Sequence, residues 1–292
     1  LVLDNPLPAA GLSKVRVALD PIANGFSYQA SGGSTLGSFD SEGAIVTGEE
    51  TLVRVDRLLV SETLATGIIR PTNTGLAGSL NISGGGVNGA VRFEPGSNRQ
   101  VIRANLVAKN ARFDGNPPIF IRTGKLDADV ILIDGKSDIN ATVQAQGISR
   151  GELMVGRIAG NAKLNDGTGN AVFSIAGTRG STFEFQARAN VTPDRYVLTG
   201  NGLFEGRRLR LSKPLDLRRV SDGWTVAPTT ISYGSGSTRL SGRWGSGRSN
   251  LNLNMSKMPL SLIDVAFDDL GLGGFASGTG ELSRTNSQTQ IG

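Results

Sequence analysis

The residue types able to do chemistry are few in this chain, and their spacing does not assemble a reaction. There is no Cys and no His, which removes thiolate nucleophiles, disulfides, the commonest metal ligand and the commonest general base. Asp134-Gly135-Lys136-Ser137 matches the end of a phosphate-binding loop, whose backbone amides cradle phosphate oxygens. That motif opens with a glycine where this chain has Val130, so the stretch reads as a hairpin turn. Gly271-Leu272-Gly273-Gly274 has the glycines of a dinucleotide fingerprint, but a helical pattern precedes it where a strand is required. Asp127 with Asp129, and Asp268 with Asp269, are carboxylate pairs that could hold a cation. Alternate strand positions and a helix end are, however, ordinary places for solvated carboxylates. The expectation is a protein that is not an enzyme and uses no metal or cofactor.

The charge balance is +5, with 30 Lys and Arg against 25 Asp and Glu. A basic chain invites a nucleic-acid reading. Its arginines are instead interleaved with valines, Arg16 between Val15 and Val17 and Arg54 between Val53 and Val55, which is the solvated side of a half-buried sheet. The local clusters, Arg207, Arg208 and Arg210 and then Arg218 and Arg219, have no interleaved aromatics on which bases would stack. No nucleic-acid partner is expected. Attraction to anionic lipid head groups is a secondary reading of the same charges.

The elements that must position these residues are strands. The chain has 41 Gly in 292 residues and only 5% aromatics, a composition that favours tight turns in a large all-β structure. Alternating runs recur about every ten residues: Lys14–Leu19, Phe26–Ala30, Gly75–Ser83, Gly86–Phe93, Gly124–Ile133, Asp138–Gln146, Thr182–Ala189, Arg207–Leu211 and Thr238–Trp244. Asn24-Gly25, Gly84-Gly85, Asp134-Gly135 and Asp166-Gly167 are turn signals, and Ser31–Ser34 reads as another turn. Glu50–Val60 reads as a short helix or a bulged strand. Roughly twenty strands of about 5–6 residues result. With no linker or charge block, residues 1–292 form one continuous segment. Large apolar side chains suffice for one buried face.

Leu251 to Leu282 is the stretch with the clearest internal grammar. Leu251, Leu253 and Met255 alternate with Asn252, Asn254 and Ser256. Pro259 breaks the ladder, and Leu260, Ile263, Phe267 and Leu270 fall at helical spacing, so 259–270 is expected as a short helical excursion. Lys213-Pro214-Leu215-Asp216-Leu217 echoes Lys257-Met258-Pro259-Leu260-Ser261-Leu262, each after an alternating strand. Leu1 is not preceded by a leader and Gly292 falls where a strand is beginning, so an internal segment of a longer protein is expected.

This order of strand, Pro-Leu-x-Leu, excursion and glycine-rich strand resembles the TamB family of AsmA-like envelope proteins. The similarity is carried by residues 203–282: RLRLSKPLDL, DGWTVAPTTISYGSGSTRLSGRW and LNLNMSKMPLSLIDVAFDDLGLGGFASGTGEL. The resemblance implies an elongated, curved β-taco, an open trough with an aliphatic lining. It also implies a place in the periplasm, anchored to the inner membrane by a segment missing from this chain. The implied role is carrying phospholipids between the inner and outer membranes, with an outer-membrane barrel protein of the TamA or BamA type as a partner of the missing C-terminal regions. On that reading Phe183, Phe185, Leu209, Leu211, Leu240, Leu251, Leu253 and Met255 line the groove and contact acyl chains. Two other readings of the same faces stand beside it: a structural or adhesive β-solenoid with a dry core, and a scaffold assisting assembly of barrels and autotransporters.

Overall fold

A computed structural model describes residues 2–3, 12–134, 136–221, 223–245, 248–262, 273–285 and 288–291. The chain is all-β, and it divides into two units, Leu1–Met154 and Val155–Gly292. The N-terminal unit runs through β1 (Val2–Leu3), β2 (Ser13–Ile22), β3 (Gly25–Ser34), β4 (Gly37–Val46), β5 (Leu52–Val60) and β6 (Thr63–Thr72). It continues with β7 (Gly75–Gly84), β8 (Val87–Pro95), β9 (Gln100–Phe113), β10 (Ile119–Ile133) and β11 (Lys136–Arg150). The division falls within β12 (Leu153–Asn165). From β1 to β11 each strand pairs antiparallel with the next. A solenoid stacks its coils by parallel pairing; this unit is an antiparallel meander.

Period-two alternation in each strand and the register between strands together sort the side chains onto two faces. Phe26, Ile45, Val53 and Ile69 are successive cross-strand partners from β3 to β6. The same row continues through Gly78, Phe93, Ile102, Val130 and Ile139 to β11. Nine strands contribute and none places a polar side chain in the row. One residue over, the row reads Ser79, Arg92, Arg103, Asp129, Asn140. This second face is stitched by surface pairs: Arg54 to Asp56 at 2.7 Å, Arg103 to Asp129 at 3.3 Å and to Glu94, and Lys125 to Asp127 at 2.7 Å. Asp127 also accepts a hydrogen bond from Asn105 at 3.0 Å. Lys125 and Asn105 hold its carboxyl below the ordinary range. The first carboxylate pair of the sequence is thus engaged in ordinary ion pairing, while Asp268 and Asp269 lie outside the described residues.

The sheet of this unit curls along one rim. The loop after β9 meets turns several strands away: Asp114 donates its N–H to Ser61 Oγ at 2.9 Å, and Ser61 Oγ donates to Leu36 O at 2.9 Å. Val15, Val87 and Ala111 are buried there. Toward the opposite rim the apolar face stays open, with Leu19 54% and Phe26 43% exposed. Gly78 lets β7 lie close against β6. Its φ is +131°, and an added Cβ would lie 2.0 Å from Ile68 O on the neighbouring strand, so only glycine fits. Gly43 meets the same obstruction, with a Cβ 2.0 Å from Arg54 O, and the Tyr28 ring lies over it as well, 2.9 Å away at Cε1.

The C-terminal unit holds the remainder of β12, then β13 (Thr168–Arg179), β14 (Ser181–Thr192), β15 (Arg195–Phe204), β16 (Arg207–Leu211) and β17 (Leu215–Val220). It ends with β18 (Gly223–Tyr233), β19 (Gly236–Gly245), β20 (Arg248–Pro259), β21 (Phe275–Thr285) and β22 (Gln288–Ile291). β16 and β17 each pair with both β15 and β18, so they are two halves of one broken strand. The break is Ser212-Lys213-Pro214, where proline has no N–H to donate. β18 bulges opposite it, between Val226 and Thr229, and Thr229 Oγ1 donates to Lys213 O at 3.1 Å.

Several sequence expectations are corrected here. Ser31–Ser34 is the end of β3, not a turn; the turn is Thr35-Leu36, and the Phe39 ring fills the space over Gly32. Glu50–Val60 resolves as a strand with register shifts. Pro259 closes β20 rather than opening a helix, and pairs with Phe275. A strand tolerates proline at its end, where no further ladder donor is needed. Ser261 and Leu262 are helical, and residues 263–270 of the expected excursion lie outside the described residues.

Even two separate globules of half this mass would together expose about 14,000 Å². The chain exposes 17137 Å². The excess is what a sheet without a second layer on its apolar face would show.

Candidate functional site

All eight groove positions expected from the sequence fall on one face of the C-terminal sheet. Phe185, Gly202, Leu209 and Tyr233 are successive partners across β14, β15, β16 and β18. Leu211, Ile231, Thr238 and Met255 form the next row. Thr229, Leu240 and Leu253 form the third, and Val226, Gly242 and Leu251 the fourth. Phe183 sits opposite Phe204, two residues from the first row. The four rows therefore form an apolar surface interrupted by glycine and threonine, with Arg207 beside Phe204 and Ser249 beyond Leu251 at its ends.

Its local shape comes from aromatic rings and missing side chains. Phe183 and Phe185 stack with centroids 5.5 Å apart, and Phe204 meets Tyr233 edge-on at 5.8 Å. The Phe185 ring lies over Gly202, where a Cβ would come within 2.6 Å of Cδ1 and 2.1 Å of Glu184 O. Such glycine–aromatic pairs fill the face without adding bulk to the strand. Beside the ring, Phe185, Ala187, Leu209, Leu211 and Ile231 line an open hollow of about 150 Å³. That is the size of an apolar cavity that accepts a benzene molecule, so it suits a short stretch of hydrocarbon.

Each row has a buried member, Tyr233, Thr238, Thr229 and Val226 in turn, and Phe183 and Phe204 are buried beside the first, whereas Phe185, Leu209, Leu211, Leu240, Leu251, Leu253 and Met255 are half-buried. The half-buried side chains keep part of their surface in contact with solvent. The Tyr233 hydroxyl is buried without a hydrogen-bond partner. Burial first, and the Glu205 charge second, raise its phenol above the ordinary value. Phe204, Thr229, Ile231 and Tyr233 belong to the surface but were not singled out from the sequence. The alternation that marks Leu209 and Leu211 marks them equally.

The opposite face carries Asn252, Asn254 and Ser256, all exposed, together with one tight ion cluster. Arg195 grips Asp216 with Nε at 2.8 Å and Nη2 at 2.9 Å, and Arg218 adds a contact at 3.2 Å. The Arg195 hydrogen bond is the main cause that lowers the Asp216 carboxyl to about 2. A depressed carboxylate stabilises the fold above its unfolded value near 3.9 and loses that contribution as pH falls through about 2. Both guanidinium groups are half exposed or more, so solvent screening leaves on the order of 1 kcal/mol. Asp216→Asn should lower the melting temperature at pH 7 by a few degrees and flatten its fall between about pH 4 and pH 2, read by circular dichroism.

Among the described residues no three Asp or Glu side chains stand close enough to hold a metal ion. No protein-family model, curated protein or solved structure matches the chain.

Proposed function

We propose that this chain is a lipid-carrying segment whose apolar faces hold phospholipid acyl chains while the head groups stay in water. The observation that carries the reading is the partly exposed apolar surface on which Leu211, Ile231, Leu240, Leu253 and Met255 stand together. Each methylene moved from water to such a surface gains about 0.8 kcal/mol. A 16-carbon chain thus gains on the order of 10 kcal/mol if fully covered, and less against a face open on one side. Few polar groups intrude, so cargo is held by area rather than by fixed contacts, as a conduit requires. The TamB-like segments 203–282 give the reading its setting. In that setting the chain forms part of a bridge across the periplasm, tethered to the inner membrane elsewhere in the protein, with an outer-membrane barrel of the TamA or BamA type at the far end.

Photocrosslinking in cells tests this. A photoreactive residue at Leu253, on the apolar face, should yield phospholipid adducts, while one at Asn252, its neighbour on the polar face, should not. Crosslinks from Leu253 to protein alone would mean a dry face and would end the lipid reading.

A further inference from the structure

The break between β16 and β17 leaves a hollow on the polar face that nothing above uses. After Leu211 the chain steps out through Ser212, Lys213 and Pro214, and β15 loses its neighbour near Gly200. The space on the polar side is about 640 Å³, lined by Gln186, Asn201, Arg208 and Arg210 beside backbone at Gly200 and Gly202. An adjoining hollow of about 450 Å³ shares Gln186, Gly200 and Asn201 and adds Arg188 and Lys213.

We propose that these joined hollows are a binding site for a phosphate-bearing anion. The argument is charge without compensation in a shaped place. The side chains of Arg188, Arg208, Arg210 and Lys213 make no ion pair or hydrogen bond with the described residues. Glu184 is the one carboxylate among the lining residues, and Arg157 already faces it at 3.9 Å. On the same face Arg195 and Arg218 share Asp216, and Arg239 stands singly rather than in a hollow with other cations. A comparable hollow of about 370 Å³ in the N-terminal unit sets Arg16 and Arg57 against Asp40 and Glu42. Like charges crowded into one hollow repel each other, and a bound anion relieves that repulsion.

The side chains favour phosphate among anions. Arg208 and Arg210 are two residues apart on one strand face, roughly 7 Å along the chain, and each guanidinium can grip two oxygens as a planar fork. The Asn201 and Gln186 amides, partners in register with Arg210, can donate to oxygens that the forks leave free. Gly200 and Gly202 let the ligand approach the backbone. The charged side chains of the site point to the opposite face from the acyl-binding surface, although Leu209 and Leu211 border both hollows at the strand break, and the site stands whether or not that surface carries lipid.

Calorimetric titration with inorganic pyrophosphate, repeated at rising salt, tests the inference on the full chain. The unmodified protein should bind, and affinity should fall with salt. Arg208→Gln with Arg210→Gln should weaken binding at least tenfold, and Arg188→Gln by a smaller factor. Arg16→Gln with Arg57→Gln removes the same charge from the balanced hollow and should leave affinity within twofold. All five side chains are exposed, so melting curves should stay near the original. A parallel arm uses phosphatidylcholine vesicles with and without phosphatidylglycerol. Binding to the anionic vesicles alone, lost in the Arg208 and Arg210 variant, would assign the phosphate to a lipid head group. Binding to neither probe, or equal weakening by both arginine pairs, would overturn the site and leave only net charge.

Discussion

Valine at Gly78 should unfold the N-terminal unit, whereas alanine at Gly48 should leave it intact. Gly78 lies inside β7 at φ +131°, and its would-be Cβ sits 2.0 Å from Ile68 O. No rotamer relieves that collision, because the obstruction is a ladder carbonyl held by its own hydrogen bonds. Either β6 and β7 separate or the backbone at Gly78 changes conformation, and both break the apolar row between Ile69 and Phe93. Substitutions with such a defined cause exceed about 4 kcal/mol, against a total stability of about 5–15 kcal/mol for a domain. Around Gly48 nothing lies within 4 Å of an added Cβ, and its backbone is not in the left-handed region. Urea titration followed by far-ultraviolet circular dichroism checks both. A Gly78→Val protein that melts like the original would mean that the close approach of β6 to Gly78 is not required.

The alternation of apolar and polar residues made the fold class legible, and with it the face on which each groove residue stands. A strand has two faces, so Phe183, Phe185, Leu209 and Leu211 needed only their parity to be sorted. Residues that hide their parity were missed. β4 carries Ser41 and Gly43 at positions of the apolar face, and β6 carries Gly67 there, so neither run looks like a strand when read alone. Tyr28 and its partners supply the apolar surface that Gly43 lacks, and that pairing exists only once the register is known. Proline misled in the other direction. Pro214 and Pro259 looked like the starts of excursions, yet each sits where one strand is broken or finished within the sheet.

What lay beyond the sequence was long-range register. Asp216 meets Arg195 because β15 and β17 pair at that point, 21 residues apart in the chain. Arg208 and Arg210 were read as part of a uniformly solvated face. The structure separates them from Arg195 and Arg218 by their partners, since the latter share a carboxylate and the former line an open hollow. Charge counting cannot make that distinction.

Leu253→Asp should abolish lipid adducts at a neighbouring photoreactive residue on Leu240 while the protein stays folded. Leu253 is half-buried and keeps part of its surface in contact with solvent. A carboxylate there keeps part of its hydration, so the cost to folding should stay within the ordinary 0.5–3 kcal/mol of a point substitution. Cargo is affected differently. An acyl chain lying across Leu240 and Leu253, partners in register, would have to strip water from the carboxylate, which costs several kcal/mol. A penalty of that size is at least a hundredfold in occupancy. Asn252→Asp places the same charge one residue away on the polar face and should change neither adduct yield nor melting. Phe204→Asp completes the test, because Phe204 has no exposure and charge there should unfold the unit. If Leu253→Asp unfolds the protein as Phe204→Asp does, the face is a closed core and carries no lipid. Retained folding with lost adducts distinguishes an open apolar surface from a dry interior, because only the former can accept charge and lose its cargo.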